Sequence, residues 1–470
     1  MLEHQKYFNG KKVTLMGLGL LGRGLGDAIF LAQNGAQLIV TDIRDEKMLA
    51  SSLAKLKRYK DIRYTLGGHT FEDFRNRDFI LKAAGVPLDS PYIAEAKKNG
   101  IPIEMDASLF AKLMPKGVTL VGVTGTRGKS TTAECIFTIL KAAKKRVFLG
   151  GVVHTATLPL LTKVRAGDIV VLELDSWQLQ GFHDAKISPH IAVFTTFMDD
   201  HLLYYKGDRK RYFDDKTAIF RYQKRNGVLV VGKQAQQQVR SARPPGRIVV
   251  AAANLLKSWE LQVLGDHNRE NIACAVAVAK ALGIAYAIIK RGVEAFRGVP
   301  GRLEYLRTIR GVKIYNDNNA TTPDATIAAL HALNPKSEIR NPKQILNSKS
   351  LNAKRLTLNT ERNIVLIMGG TDKGLDMSKL VAEIPKYCKG LVLLKESGTT
   401  KFLTLIHNSK FIIQEMVEAE NLKECVEKAM NMAQSGDTVL FSPAFASFGK
   451  WFKNEYDRGE QFVEIVKKSK

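Results

Sequence analysis

The segment that most directly indicates chemistry is residues 122–132, which read GVTGTRGKSTT and follow the apolar run 118–121. This order predicts a strand, a glycine-rich turn and the start of a helix. Small residues let backbone N–H groups approach phosphate oxygens, a lysine adds a point charge, and a following hydroxyl can bind Mg²⁺. Val123 stands where the strict phosphate-loop pattern has glycine. We therefore predict a variant phosphate loop with the candidate residues Gly125, Thr126, Gly128, Lys129, Ser130 and Thr131.

Acidic residues and a histidine follow two further apolar segments and are candidate metal ligands. Glu173 ends one segment, and Asp199, Asp200 and His201 follow the next. Open parallel sheets bind ligands at the carboxyl ends of their strands. Glu173 is therefore a predicted Mg²⁺ ligand, with a surface acid as the alternative. His201 is either a ligand or a structural histidine.

Lys216 lies in the segment YFDDK and is by default a surface lysine. An ammonium group carries only hydrogen-bond donors and cannot bind a cation. It could reach a metal ion only after chemical conversion, for example to a carbamate.

A second glycine-rich turn lies near the N-terminus. Gly17, Gly19 and Gly22 form the pattern G-x-G-x-x-G between a predicted strand and a predicted helix, and Asp42 ends the next predicted strand. This arrangement is typical of Rossmann-type units, which place a phosphate at the helix N-terminus and the acidic residue near a ribose or base. The pattern predicts a nucleotide group and does not identify it as NAD.

Polar residues recur at the ends of predicted elements in the later part of the chain. Asn268 opens a predicted helix, where it either caps the helix or, with Asn271, contacts an adenine. Arg302 either binds a phosphate or pairs with Glu304. Several loops that follow predicted strands are also polar and suggest one site, namely residues 317–321, 369–373, 442–444 and 446–448.

The chain has 470 residues, which is too long for one hydrophobic core and predicts about three domains. Strand and helix patterns alternate, so we expect α/β domains with doubly wound sheets. The predicted domains are a Rossmann-like domain at 1–107, a central P-loop ATPase-type domain at 108–299 and a C-terminal Rossmann-like domain at 300–470. Within the last, residues 334–362 are rich in Asn, Lys, Ser and Arg and are expected to form an exposed basic insertion.

The formal net charge of +25 raises the question of nucleic-acid binding. The basic residues are spread over several segments without interleaved aromatic residues, so nucleic acid is not the expected partner. The four cysteines are scattered, the N-terminus is polar, and no apolar run is long enough to cross a bilayer. We expect a monomeric cytoplasmic protein without membrane insertion.

Taken in order, these motifs resemble the Mur ligase family over nearly the whole chain. Within the family, the resemblance is strongest to the ligases that add D-glutamate to UDP-MurNAc-L-alanine, because of the first domain and the C-terminal ASF…RG stretch. It implies an ATP-dependent, amide-forming enzyme of peptidoglycan synthesis that works through an acyl phosphate. The resemblance rests on VTLMGLGLLGRG, TGTRGKSTT, ELDSWQL, GDHNRENIACA, YNDNNATTPDA, IMGGTDKGLD and FSPAFASFGKWFKNEYDRGEQF.

The resemblance also implies individual roles, which we state as expectations. The catalytic residues would be Lys129, Glu173, His201 and Lys216. Two Mg²⁺ ions would be held by Ser130, Glu173, His201 and a carbamylated Lys216. Besides the phosphate loop, ATP would contact Asn268, Asn271, Arg302 and Asp317. The uridine diphosphate would contact Gly17, Gly19, Leu20, Gly22 and Asp42. The D-glutamate would contact Thr321, Lys373, Ser447 and Phe448.

The chain departs from the family pattern at a few positions. Arg127 and Val152 each replace a usual asparagine, Asn319 replaces a usual lysine, and Ala83-Ala84 replaces a polar–proline pair. The changes at Val152 and Asn319 fall near substrate, so the identity of the added amino acid stays open. The alternatives are another Mur-type or folylpolyglutamate-type ligase with a different amino acid, and a basic nucleic-acid-dependent ATPase.

Overall fold

The computed structural model describes residues 3–151, 155–200, 204–333, 362–407, 409, 411–447, 449 and 451–469. Across these ranges the chain forms three β-sheets with helices packed around them, which confirms the predicted α/β class. Four features of interest from the sequence lie outside the described residues: Val152, His201, Phe448 and nearly all of the basic insertion, residues 334–361.

The first sheet has five parallel strands: β1 (Lys12–Met16), β2 (Gln37–Asp42), β3 (Ile62–Leu66), β4 (Phe79–Lys82) and β5 (Ile103–Glu104). Their order is β3-β2-β1-β4-β5. The chain leaves β1 towards β2, whereas β4 lies on the other side, so the switch point of the sheet lies between β1 and β4. The α-helices of this region span Glu3–Phe8, Arg23–Gln33, Glu46–Leu56, Pro91–Lys98 and Asp106–Leu113.

The second sheet has six parallel strands: β6 (Thr119–Thr124), β7 (Val147–Gly150), β8 (Ile169–Glu173), β9 (Ile191–Phe194), β10 (Val228–Val231) and β11 (Arg247–Val250). Their order is β11-β10-β9-β6-β8-β7. Since β6 lies between β8 and β9, the loops that follow these three strands leave the sheet side by side. The α-helices of this region span Lys129–Ala142, Ser176–Ala185, Arg209–Arg221, Gln236–Ser241, Asp266–Ala281 and Tyr286–Glu294.

The third sheet is mixed. Its strands are β12 (Glu304–Ile309), β13 (Val312–Asn316), β14 (Ile364–Met368), β15 (Cys388–Leu394), β16 (Glu415–Ala419) and β17 (Thr438–Phe441), in the order β12-β13-β17-β14-β15-β16. The edge strand β12 is antiparallel to β13, and the other pairs are parallel. The α-helices of this region span Pro323–Ala332, Ser378–Tyr387, Ser397–His407, Leu422–Met432 and Glu455–Lys468.

The chain divides into two compact units. The first comprises residues 1–255 and 270–295 and contains the first two sheets, and the second comprises residues 256–269 and 296–470 and contains the third sheet. The boundaries at 107/108 and 299/300 stay a prediction. None of the helices in the described part of the chain is both long and apolar enough to cross a bilayer.

Candidate active site

The phosphate loop needs glycine at two positions because neighbouring groups approach its backbone closely. Gly125 has φ 147° and Gly128 has φ 87°. A Cβ on Gly125 would overlap the hydroxyl of Thr195, and a Cβ on Gly128 would overlap the side chain of Asn271. The loop is therefore enclosed by the segment that follows β9 and by the helix Asp266–Ala281.

Backbone hydrogen bonds fasten the phosphate loop to that neighbouring segment. The N–H of Thr126 donates to the carbonyl oxygen of Thr196 at 2.8 Å, and the N–H of Arg127 donates to the Thr196 hydroxyl at 2.9 Å. The helix Lys129–Ala142 begins directly after the loop. Its N-terminus carries backbone N–H groups without intrahelical acceptors, which is a favourable environment for an anion.

The structure brings together several residues that the sequence analysis predicted to act on phosphate and metal. The Ser130 hydroxyl donates to Oε1 of Glu173 at 3.0 Å, and Lys129 Nζ donates to the carbonyl oxygen of Thr126 at 3.3 Å. Thr131 lies on the same first turn and is buried. A hydroxyl and a carboxylate side by side are oxygen ligands of the kind that Mg²⁺ prefers.

Glu134 is a neighbour of this pair that the sequence analysis did not single out. Burial raises its pKa, and the nearby carboxylate of Glu173 raises it further. Glu134 lies four residues after Ser130 on one helix, so the two side chains share a face. This four-residue spacing from Ser130 could have identified Glu134 as a candidate site residue from the sequence.

Lys216 lies in the interior and not on the surface. Its side chain is 1 % exposed, and Nζ donates to the carbonyl oxygen of Gly125 at 3.0 Å and to the Thr124 hydroxyl at 3.5 Å. Burial lowers its pKa to about 7, and the positive charge of Lys129 adds to the shift. At neutral pH a large fraction of this amine is therefore uncharged, which is the form that reacts with CO₂.

The helix that carries Lys216 is held in place by buried polar contacts. The hydroxyl groups of Tyr212 and Thr126 lie 3.2 Å apart. Asp215 accepts hydrogen bonds from the Tyr205 hydroxyl at 2.9 Å and from Gln180 Nε2 at 2.8 Å. These contacts fix the helix Arg209–Arg221 against the phosphate loop and against the helix that follows β8.

The two aspartates that precede His201 form ion pairs with arginines. Arg127 Nη1 lies 3.2 Å from Oδ2 of Asp200, and Arg209 Nε lies 2.6 Å from Oδ1 of Asp199. Arg127 therefore links the phosphate loop to the segment that leads to His201. His201 itself is beyond the described ranges.

The N-terminal glycine turn is held in place by Asp42. Gly17, Gly19 and Gly22 have φ values of 99°, 65° and 85°. Oδ2 of the buried Asp42 accepts the N–H of Gly19 at 2.9 Å, and its Oδ1 accepts from the backbone N–H and the guanidinium of Arg44 at 2.9 and 3.2 Å. Asp42 thus shapes the turn directly, while Leu20 is 42 % exposed on it. Contact with a nucleotide stays a prediction.

In the second compact unit, Asp317 lies in the interior. It accepts hydrogen bonds from the backbone N–H of Leu303 and from the hydroxyl of Ser442, both at 2.9 Å. Burial raises its pKa to about 7, whereas those hydrogen bonds and the charge of Arg302 lower it. Glu304 accepts hydrogen bonds from the backbone N–H of Gly301 at 2.9 Å and from the Asn316 side chain at 3.2 Å.

The capping interpretation of Asn268 is wrong. The helix begins at Asp266, so Asn268 is its third residue. Its side chain donates instead to the carbonyl oxygen of Leu264 at 2.8 Å. The sequence misled because the helix begins two residues before Asn268, directly after Gly265. Contact with adenine stays a prediction for Asn268 and for Asn271.

Two of the predicted amino-acid-binding residues meet at the carboxyl edge of the third sheet. Lys373 Nζ donates to the hydroxyl of Thr321 at 3.0 Å. Ser447 is 2 % exposed, and its hydroxyl lies 3.5 Å from Oε2 of Glu455. The fourth predicted residue, Phe448, is outside the part of the chain that the structure describes.

Arg458 organises these loops and was not recognised as a site residue from the sequence. It is fully buried. Its Nε donates to Oδ1 of Asn318 at 2.7 Å and its Nη2 to the Asn318 carbonyl oxygen at 2.9 Å. Its Nη1 lies 3.3 Å from the carbonyl oxygens of Phe445 and Ala446. Burial lowers its pKa to about 10, so it stays charged at neutral pH.

The sequence matches two known domain families. The Mur ligase middle domain matches residues 123–251, and the Mur ligase MurD-like N-terminal domain matches residues 11–104. Both matches fall on the regions that carry the two glycine-rich turns.

Curated relatives match over nearly their full lengths. The chain is 33 % identical to the UDP-N-acetylmuramoylalanine–D-glutamate ligase of Roseiflexus sp. strain RS-1, with 97 % of this chain and 98 % of the relative covered. It is 31 % identical to the enzyme of the same name from Borreliella afzelii strain PKo, with 96 % of each chain covered.

Among solved structures, the UDP-N-acetylmuramate-alanine ligase MurC of Thermotoga maritima is similar with a TM-score of 0.59 and 21 % identity, covering 98 % of this chain and 100 % of that one. That likeness concerns the fold. The matches to the curated relatives agree with the resemblance that the motifs indicated. The chain belongs to the Mur ligase family, in the branch of the UDP-N-acetylmuramoylalanine–D-glutamate ligases.

Proposed function

We propose that this protein is an ATP-dependent ligase of peptidoglycan precursor synthesis that joins D-glutamate to UDP-MurNAc-L-alanine. One observation supports this most strongly. The phosphate loop carries Lys129 and Ser130, the hydroxyl of Ser130 donates to Glu173, and the carbonyl oxygen of Gly125 in the same loop accepts from the buried amine of Lys216. Such a site can hold a nucleoside triphosphate and a divalent cation together. The kinship with ligases of that name supplies the substrates.

The reaction has two steps. A carboxylate oxygen of the L-alanyl group attacks the γ-phosphorus of ATP, an O–P bond forms, the bond to the β-phosphate oxygen breaks, and ADP leaves. The amine of D-glutamate then attacks the acyl carbon, a tetrahedral intermediate forms, phosphate leaves with the bonding electron pair, and the amine loses a proton. Both steps bring anions together, so positioning and electrostatic stabilisation provide most of the catalysis.

The residues of the loop serve the first step through charge and geometry. Lys129 and the N-terminus of its helix would hold the phosphate groups, because both offer donors to anionic oxygens. Gly125, Thr126 and Gly128 would let the backbone approach them. The close contacts of Thr195, Thr196 and Asn271 keep the loop in its shape.

Mg²⁺ would neutralise the charge that builds up on the phosphate oxygens during transfer. We propose two such ions, and the described residues fit the first of them. Ser130 and Glu173, which lie 3.0 Å apart, would hold one. His201 and Lys216 as its carbamate would hold the other, because a carbamate supplies the anionic oxygen that an amine lacks. The reduced pKa of Lys216 favours its conversion at neutral pH.

The remaining site residues keep the roles predicted from the sequence. We propose that the uridine diphosphate contacts Gly17, Gly19, Leu20, Gly22 and Asp42. We propose that ATP also contacts Asn268, Asn271, Arg302 and Asp317. We propose that D-glutamate contacts Thr321, Lys373, Ser447 and Phe448. The hydrogen bond between Lys373 and Thr321 supports the last group, since it holds a cation beside a hydroxyl where a carboxylate could bind.

We propose that the enzyme works in the cytoplasm as a monomer. Its four cysteines are buried and free, which suits a reducing compartment. The proposal includes no nucleic-acid partner. The domain boundaries at 107/108 and 299/300 are kept as part of it.

The test is phosphate release from ATP in the presence of UDP-MurNAc-L-alanine, with D-glutamate, L-glutamate, D-aspartate or lysine added one at a time. We expect release only when the nucleotide sugar and D-glutamate are both present. The variant Lys129→Ala is the control and should be folded but inactive. Release with a different amino acid would keep the mechanism and change the substrate. Release that needs only nucleic acid would refute the ligase assignment.

A further inference from the structure

Lys82 is a buried cation at the switch point of the first sheet, and the function proposed above does not use it. It is the last residue of β4 and lies opposite Met16, the last residue of β1. Ligands of open α/β sheets bind in the crevice beyond the strand ends at such a point. The loop after β1 carries the glycine turn, and the loop after β4, residues 83–86, forms the facing wall.

The two walls are in direct contact. The N–H of Ala83 donates to the carbonyl oxygen of Met16 at 2.9 Å. A Cβ on Gly17 would lie 2.8 Å from the Cβ of Ala83 and 3.5 Å from a methyl group of Val86. The position of loop 83–86 therefore decides where Gly17 and the turn after it can lie.

Carbonyl oxygens of loop 83–86 surround the ammonium group of Lys82 and accept hydrogen bonds from it. Lys82 is 1 % exposed, and Nζ donates to the carbonyl oxygens of Ala83, Ala84 and Val86 at 3.1, 3.2 and 2.7 Å. An ammonium group has three N–H donors, so all three are used within one turn of five residues. Loop 83–86 lacks the proline usual in this family, and these hydrogen bonds supply a different constraint on its backbone.

Carboxylates on the surrounding elements stabilise the buried ammonium group of Lys82. Burial lowers its pKa to about 8, while surrounding carboxylates favour the charged form. Lys82 also lines a cavity of about 60 Å³. The charged groups that line the cavity with Lys82 are Arg23 and Asp27 on the helix Arg23–Gln33 and Asp106 on the helix Asp106–Leu113. The carboxylates that favour the charged form of Lys82 are Asp175 and Asp184 at the two ends of the helix Ser176–Ala185, Asp106, and Asp215.

We propose that Lys82 is a positioning residue for the nucleotide-sugar substrate, which it serves by fixing loop 83–86 as the second wall of the crevice that receives the uridine diphosphate. The proposal rests on the function proposed above. Lys82 need not touch the substrate or affect the chemical steps. Its loss weakens binding of the nucleotide sugar and leaves the turnover of bound substrates unchanged.

The test compares Lys82→Met, which keeps the length of the side chain and removes the donors, with Lys98→Met, an exposed lysine of the same region. For Lys82→Met we expect the KM for UDP-MurNAc-L-alanine to rise about tenfold. The KM values for ATP and D-glutamate and the kcat should stay within about threefold. Lys98→Met should match the wild type. An unchanged KM for the nucleotide sugar in a folded Lys82→Met protein would overturn the proposal.

The pH dependence of the KM for the nucleotide sugar distinguishes hydrogen bonding by Lys82 from a role in which its side chain only fills space. One unit above a pKa of about 8, only about one molecule in ten keeps the third proton. The wild-type KM for the nucleotide sugar should therefore rise between pH 7 and 9, and this rise should be absent in Lys82→Met and in Lys82→Arg. If Lys82→Met does not fold, the wild-type and Lys82→Arg profiles decide, and a flat wild-type profile refutes the proposal.

Failure of the proposed function is a separate outcome. In that case the wild-type protein shows no turnover that depends on the nucleotide sugar at any pH, and the binding of UDP-MurNAc-L-alanine alone, measured by calorimetry, is absent. Failure of the Lys82 inference leaves wild-type turnover intact and changes only the comparison between the variants.

Discussion

Lys216 in the phosphate-loop site and Arg458 behind the C-terminal loops are both buried cations, yet their surroundings differ. Lys216 has two hydrogen-bond acceptors, and its pKa falls to about 7. Arg458 has four, from Asn318, Phe445 and Ala446, and burial lowers its pKa only to about 10, so it keeps its charge at neutral pH. A buried cation with few acceptors loses its proton more readily, whereas one that donates to several carbonyl oxygens holds the backbone in place.

The same contrast separates the two candidate sites. In the first, the side chain proposed to become a carbamate, Lys216, is itself buried and donates to the backbone of the phosphate loop. In the second, the groups proposed to contact substrate, Lys373 and Thr321, are on the loops, and the buried Arg458 acts behind them. We expect substitutions in the first site to affect chemistry and substitutions in the second to affect affinity and stability.

The largest effect is expected for Lys216→Ala. Removal of the proposed carbamate should lower kcat by at least about 10³-fold, a typical cost when a key electrostatic group is removed. Short-chain carboxylates such as formate or acetate should restore part of the activity by filling the vacated position. Isotope-labelled bicarbonate should label the wild-type protein and not the variant.

The control for Lys216→Ala is Lys210→Ala, an exposed lysine on the same helix, which should leave kcat unchanged. Full activity of Lys216→Ala without added carboxylate would contradict the carbamate and would remove the contrast with Arg458.

The next effect is expected for Gly125→Ala, which disturbs the carbonyl that accepts from Lys216. The new methyl group would overlap the Thr195 hydroxyl and lie 2.9 Å from the backbone nitrogen of Thr196. The loop must shift, and we expect kcat/KM for ATP to fall about 10²-fold, as misplacement of a binding group commonly does.

Gly167→Ala separates this overlap from backbone strain. Gly167 also has a positive φ, 88°, but its missing Cβ faces open space. The variant should lose about 1 kcal/mol of unfolding free energy and keep wild-type kinetics. Equal losses of kcat/KM in both glycine variants would mean that backbone strain at a positive φ, and not overlap with Thr195 and Thr196, causes the loss in Gly125→Ala.

Arg458→Met should act on stability and amino-acid affinity together. It leaves buried carbonyl oxygens without donors, so we expect the free energy of unfolding to fall by about 2–4 kcal/mol. Because the Phe445–Ser447 loop loses its anchor, the KM for D-glutamate should rise more than the KM for ATP. Urea unfolding and steady-state kinetics measure both.

Arg458→Lys keeps a charge but cannot reach all the acceptors of the planar guanidinium, so it should show an intermediate loss. The control is Arg307→Met, an exposed arginine with one long hydrogen bond at 3.3 Å, which should change neither quantity. A fall in kcat without a change in the KM for D-glutamate would assign Arg458 to the chemistry.

Sequence reasoning located the phosphate loop, Ser130 and Glu173 because these residues follow strands, and strand order then places them at one edge. It also predicted a strand before each glycine-rich turn and a strand that ends at Asp42, and β1, β6 and β2 confirm these. Arg458 escaped because its acceptors on Asn318, Phe445 and Ala446 are brought near by tertiary folding, which no spacing pattern records. Lys82 escaped because its acceptors are carbonyl oxygens of the adjacent loop, and a carbonyl oxygen is present in every residue whatever its type. The sequence also did not predict that Lys216 is buried, because its helix shows no uninterrupted apolar face.

The smallest effect is expected for Arg127→Asn, which restores the residue usual in the family. The variant removes an ion pair with Asp200 whose side chains are 35 % and 20 % exposed. Exposed or half-exposed ion pairs stabilise a protein by less than about 1 kcal/mol. Even if all of that energy were lost from the transition state, kcat would change by less than about fivefold. Arg209→Asn is the matched control, because it removes the neighbouring pair with Asp199 on the same segment. A much larger loss for Arg127→Asn alone would mean that its guanidinium contacts the phosphates, and it would place a third cation beside Lys129 and Lys216 in the chemical site.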